Sequence, residues 1–184
     1  MALPSPNLPC SPPLPPCPPP CCSLYPPLRP LPQILLSAGW DRSVKVWDMR
    51  LQRCVRSIFG PYICGDAVDI SRGQVLTGSW RHTNPLQLWD LGSSRLLTNL
   101  PFLQPQQDAC LVYAAKFGRE PMDGFIFAGG SGKQPCLRVY QQQSGELLGS
   151  MQSTGDIYGI DSCQVGSDKQ VAVMAAFCLQ IVNL

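Results

Sequence analysis

Chemistry in this chain would have to come from a short set of side chains. Ten cysteines offer nucleophiles, but a thiol or hydroxyl needs a neighbouring base, and the single histidine, His82, stands in the turn-like "RHTN" with no evident carboxylate partner. The stretch "GGSGK", Gly129 to Lys133, invites comparison with a phosphate-cradling loop. It lacks the G-x-x-x-x-G-K-[ST] spacing and no helical pattern follows it, so it reads better as a turn between two strands. Cys10, Cys17, Cys21 and Cys22 have neither paired C-x-x-C spacing nor a nearby histidine, which argues against zinc. The residues predict a non-enzyme with no cofactor and no metal.

Charge and composition narrow the class further. Lys and Arg number 14 against 12 Asp and Glu, a net charge of +2, so no strong field steers the chain toward nucleic acid, and no nucleic-acid partner is expected. Arg42, Lys45, Arg50, Arg53 and Arg56, interrupted by Asp48, read as the solvated faces of two strands and their turn. The longest apolar run, "VAVMAAFCL" from Val171 to Leu179, is about half of the ~20 residues that a membrane helix requires. No secretory pattern precedes the first charge, Arg29, so a soluble cytoplasmic protein without membrane contact is expected, its cysteines reduced.

Residues 1–33 hold 14 of the 20 prolines and 4 of the 10 cysteines. This tract reads as a disordered Pro-rich leader, distinct from a globular domain over residues 34–184. Its "PPLP" (Pro12 to Pro15) and "PPLRPLP" (Pro26 to Pro32) populate the polyproline II conformation gripped by WW and SH3 domains, a class of partner that the leader suits.

Self-comparison of residues 34–184 reveals a repeat. "ILLSAGWDRSVKVWD" is echoed by "QVLTGSWRHTNPLQLWD", then by "FIFAGGSGKQPCLRVYQ" and "VAVMAAFCLQIVN". Trp47, Trp89, Tyr140 and Val182 occupy one position, and Asp48 and Asp90 follow the two tryptophans. The apolar runs fit strands packed on both faces, "SVKVWD" alternates, and Gly, Asn, Asp and Ser punctuate the turns. One further strand precedes three of the runs ("AVDIS", "VYAAKF", "IYGIDS") and another follows the Trp position ("RCVRSIF", "RLLTNL", "ELLGSM"). The expected fold is all-β, with four strands per repeat.

A four-stranded period of about 40 to 50 residues ending in Trp-Asp resembles the WD40 repeat family of β-propellers. The resemblance implies that Ser37, Asp41 and Trp47 form a hydrogen-bonded set, normally completed by the histidine of a Gly-His pair that this chain lacks; Thr77 and Trp89 match in the second copy. It also implies about 3.5 blades: a partial unit at 34–59 lacking its first strand, units at 67–100 and 112–151, and a partial unit at 157–184. Propellers close with roughly 4 to 8 blades. The expectation is therefore the C-terminal part of a larger propeller, acting as a protein-interaction scaffold and able to self-associate or recruit a complementary half. The alternative is a truncated isoform or gene-model fragment without stable independent function.

Loops carry function in such a fold. Trp40, Trp80 and Phe177 follow the second strand of successive units, with Arg42, Arg81 and His82 beside them, and these six are the expected partner-binding surface.

Overall fold

The computed structural model of the protein describes residues 21–24, 33–102, 110–120, 122–165, 168–175 and 178–183. They form an all-β array of four antiparallel sheets laid down in chain order. The first contains β1 (Cys21–Leu24), β2 (Ile34–Ala38), β3 (Ser43–Asp48) and β4 (Arg53–Phe59). The second contains β5 (Val68–Ser71), β6 (Gln74–Gly78), β7 (Leu86–Asp90) and β8 (Leu96–Leu100). In the third are β9 (Leu111–Phe117), β10 (Phe125–Ser131), β11 (Cys136–Gln141) and β12 (Leu147–Gln152). The fourth has β13 (Ile157–Val165), β14 (Asp168–Ala175) and β15 (Cys178–Asn183).

One strand departs from expectation. The repeat pattern starts the first sheet at residue 34 without a first strand, yet Cys21–Leu24 pairs antiparallel with β2, Cys21 opposite Ala38 and Leu24 opposite Leu35. Proline removes the backbone donor a ladder needs. Residues 21–25 are the longest proline-free run in the first 32, so this segment keeps every backbone donor that pairing requires. The rest of the expected disordered leader, including both Pro-rich motifs, lies outside the described residues.

The sheets repeat to the residue. Trp47, Trp89, Tyr140 and Val182 stand opposite Leu35, Val75, Ile126 and Val171 on the preceding strands. Across the next strand, the register slips at the same place in three sheets: at Val46/Trp47, Leu88/Trp89 and Val139/Tyr140. The extra residue in each outer strand is Val55, Leu97 or Leu148, all exposed. A bulge adds twist and blunts an outer edge against pairing with another chain.

The turn after each of these third strands is also shared. Gln52, Ser94 and Gly145, each four residues past the Asp48 position, take left-handed φ values of 50°, 57° and 71°. Asp48 Oδ1 accepts from the backbone N–H of Arg50 at 2.9 Å, and Asp90 Oδ2 from that of Ser93 at 2.6 Å. The aspartate of each Trp-Asp pair is thus a turn cap. Hydrogen bonds hold both carboxylates below the ordinary range, chiefly from the Arg50 side chain at Asp48 and the Ser93 hydroxyl at Asp90.

The tryptophans themselves need acceptors. Trp47 Nε1 donates to Ser37 Oγ at 2.8 Å, and Trp89 Nε1 to Thr77 Oγ1 at 2.9 Å. In the third sheet, Ala128 replaces the hydroxyl and Tyr140 replaces the tryptophan. The Tyr140 hydroxyl donates instead to Pro101 O at 3.1 Å, and the whole side chain is buried. Asp41 does not join Ser37 and Trp47 as the resemblance implies. Its carboxylate accepts from Ser43 N at 3.1 Å and Ser43 Oγ at 2.8 Å, holding the β2–β3 turn in which Arg42 is left-handed.

Successive sheets meet through inner strands: β1 and β2 against β5, β5 and β6 against β9, and β9 and β10 against β13. A small residue at or near the end of the second strand makes this approach possible. A methyl group on Gly78 would collide with Val112 Cγ1 and lie 2.9 Å from Ala67 Cβ; one on Gly129 would collide with Ile157 Cγ2. One apolar cluster runs through the first three sheets, and a second joins the third to the fourth through Phe127, Ile157 and Ile160. Buried Asp69 on β5 accepts from Phe117 N on β9 at 3.0 Å, a polar latch between the second and third sheets.

This packing is open to two tests. Gly78→Ala and Gly129→Ala each destabilise the chain by about 1–3 kcal/mol in chemical denaturation, as overpacking of a rigid seat does. Acid acts through the turn caps: with folded values below the ordinary 3.8, Asp48 and Asp90 support stability above that pH and withdraw it as pH falls through their depressed values. Asp90→Asn should therefore flatten the fall of the unfolding midpoint below pH 3.8. An unchanged slope in that variant contradicts the assignment.

Candidate functional site: an aromatic row at one end of the sheets

The β2–β3 turn, the β6–β7 connection, the segment 60–67 and the start of β9 all reach the same end of the array, and five rings gather there. Trp40 packs on Tyr62 with centroids 5.9 Å apart. Trp80 meets Tyr113 edge-on at 5.6 Å, and Tyr113 meets Tyr158 edge-on at 5.2 Å. Backbone joins the two groups, since Trp80 N donates to Tyr62 O at 2.7 Å and Tyr62 N to Ser79 Oγ at 3.2 Å. Edge-to-face rings of this kind contribute beyond their buried area and hold each other's orientation.

The elements explain why the rings face out. Tyr113 is an extra residue in β9, between Val112 opposite Gly130 and Ala114 opposite Gly129. Tyr158 is the extra residue of β13, between Ile157 and Gly159. Residues at a bulge escape the alternation of the strand and can be re-aimed. Segment 60–67 is tied down in turn by the Asp66–Lys116 ion pair at 2.7 Å and by Ala115 N donating to Asp66 O at 3.0 Å.

The sequence-predicted residues divide. Trp40 is half exposed, at 51%, and belongs to the row; Trp80 belongs to it as well but is partly buried against Tyr113. Arg42 and His82 are exposed beside it. Arg81 is built into the framework. Its guanidinium donates to Gly60 O at 3.2 Å, Asn84 O at 3.1 Å and Gln87 Oε1 at 2.6 Å, and Gln87 in turn donates to Asn99 Oδ1 at 2.8 Å. Burial, then the Arg42 charge, push the Arg81 pKa down, so the two cations share this end of the molecule. Phe177 lies outside the described residues.

The repeat pattern does not single out Tyr62, Tyr113 or Tyr158. A signal exists, since "VYAAKF" and "IYGIDS" both carry tyrosine at their second position. Among the described residues, no group of three or more His, Cys, Asp or Glu could hold a metal, and no helix is long and apolar enough to cross a membrane. "GGSGK" spans the end of β10 and the turn to β11, with Gly129 spent on the Ile157 seat.

Truncating the two tryptophans should separate their roles. Trp80→Ala costs about 1–3 kcal/mol of stability through lost ring packing, while Trp40→Ala stays within about 0.5 kcal/mol, both read from denaturant midpoints.

No protein-family profile and no curated protein matches the chain. Solved structures do. The chain is similar to the computationally designed Ika4 protein with a TM-score of 0.62 and 18% identity, over 82% of this chain and 85% of that one. It is similar to the computationally designed Ika8 protein with the same score and identity, over 82% of this chain but 43% of the other, so it spans less than half of Ika8. At this identity the likeness extends to the fold alone.

Proposed function

We propose that the chain is a WD40-type repeat module, a partial β-propeller in which each sheet is one blade, and that it serves as a non-catalytic scaffold for another protein. The observation that carries this reading is the row of five rings, held in place by blade-to-blade packing and left partly open at its two ends, at Trp40 and Tyr158. Large rigid aromatics with few side-chain rotamers are the usual anchors of protein interfaces. Exposed Arg42 beside them suits a partner segment that brings apolar side chains together with a carboxylate. An open succession of blades further supports membership of a larger propeller, with a second copy or a complementary half completing the ring.

Affinity purification of the full chain with quantitative identification of bound proteins tests this. Trp40→Ala and Tyr158→Ala should each lower recovery of the same partner at least about tenfold, the effect of losing one interface anchor. Val55→Ser, on the far outer strand, should leave it unchanged. Equal recovery across all three variants refutes the aromatic row as the docking surface.

A further inference from the structure

Two cysteines that the docking role does not use meet inside the third sheet. Cys110 leads into β9 and Cys136 opens β11, on either side of Gly130 of β10. Their sulfurs are 3.9 Å apart, and the residues are 7% and 8% exposed. Cys54, by contrast, lies exposed on the outer strand β4. We propose that Cys110 and Cys136 form an oxidation site at which a small peroxide converts the two thiols into an intramolecular disulfide.

Arg138 makes the site chemically asymmetric. It lies two residues beyond Cys136 on β11, is 4% exposed, and has no carboxylate partner among the described residues. Its Nη1 donates to Phe102 O and, at 3.4 Å, to Pro101 O, and the guanidinium sits over the Phe102 ring at 5.1 Å, with Nε buried and unpaired. A buried cation so placed favours an anion beside it, and among the described residues two ionisable groups adjoin it, the Cys136 thiol and the Tyr140 hydroxyl, of which burial pushes the hydroxyl up. The hydrogen bond with Cys110, reinforced by Arg138, pulls the Cys136 pKa down, while the same hydrogen bond and burial push that of Cys110 up. Cys136 is thereby the sulfur favoured to ionise and Cys110 the one favoured to keep its proton, the division of labour that stepwise disulfide formation requires.

The reaction balances with hydrogen peroxide as oxidant. The Cys136 thiolate attacks one peroxide oxygen; the S–O bond forms, the O–O bond breaks, and the departing hydroxide takes a proton and leaves as water. Cys136 is now a sulfenic acid. Cys110 then attacks the Cys136 sulfur, losing its proton; the S–S bond forms, the S–O bond breaks, and a second water leaves. Two thiols are oxidised by two electrons and the peroxide is reduced by two. Closing to the disulfide length of ~2.05 Å requires the sulfurs to approach by about 2 Å; because β9 and β11 flank β10, about 9–10 Å apart in a regular sheet, the backbone at Cys110, which precedes β9, must also move inward over Gly130. Low exposure disfavours a glutathione-sized oxidant relative to hydrogen peroxide. The product staples the entry of β9 to the entry of β11.

The full chain, reduced and then treated with limiting hydrogen peroxide, alkylated and mapped by mass spectrometry, tests the proposal. A peptide linking Cys110 to Cys136 should appear before Cys54 is oxidised, and Arg138→Gln should slow its appearance about tenfold. Cys110→Ser should instead trap a dimedone-reactive sulfenic acid on Cys136. Recovery of both residues as alkylated thiols after Cys54 has reacted, or linkage of either to another cysteine, overturns it. Where the variants do not fold, the wild-type rate against pH decides: a plateau below the ordinary thiol value of 9.0 agrees, and a rate still climbing at that value contradicts.

Discussion

Everything in this array depends on how closely one sheet can approach the next. Gly78 closes β6 and Gly129 stands near the end of β10, and against each the following inner strand seats a branched side chain, Val112 or Ile157. The contact is backbone-close, so it leaves no room for a side chain on the glycine and little for a different one opposite. It sets the separation of the inner strands, and with it the depth of the apolar cluster that fuses the first three sheets.

Polar groups then fix register within sheets, and Asp69 also latches the second sheet to the third. The indole donors of Trp47 and Trp89 find hydroxyls at Ser37 and Thr77, and a buried indole without an acceptor would cost about 1–3 kcal/mol. Where the hydroxyl is lost, at Ala128, the indole is lost as well, and Tyr140 reaches the chain between sheets at Pro101. That paired exchange shows two positions answering one constraint. Asp48 and Asp90 play matching local roles at the turn that follows.

Legibility in the sequence tracks how local each interaction is. The repeat frame, the Trp positions and the turn residues are readable because strands, hairpins and caps are built from neighbours a few residues apart. Cys21–Leu24 is hidden by the prolines that flank it, since composition averages over a short pairing segment. Asp41 bonds within its own turn rather than to Ser37 and Trp47, a difference of side-chain aim that spacing does not encode. Tyr113 and Tyr158 owe their direction to bulges, which break the alternation that sequence reading relies on. The Cys110–Cys136 contact bridges 26 residues and has no local signature. The candidate site is thus half visible: Trp40 and Trp80 from their loops, the tyrosines only from the packing.

Because the ring row takes its geometry from the stacking of inner strands, the candidate site and stability share one origin: Tyr113 is one residue from Val112, and Tyr158 one from Ile157. A double-mutant cycle between Gly78→Ala and Val112→Ala measures the seat directly. Removing the Val112 methyls should relieve the collision, so the double variant should be more stable than the sum of the singles by about 1 kcal/mol or more. Additivity within about 0.5 kcal/mol would mean that the two residues do not meet, and the stacking that positions the aromatic row would be wrong.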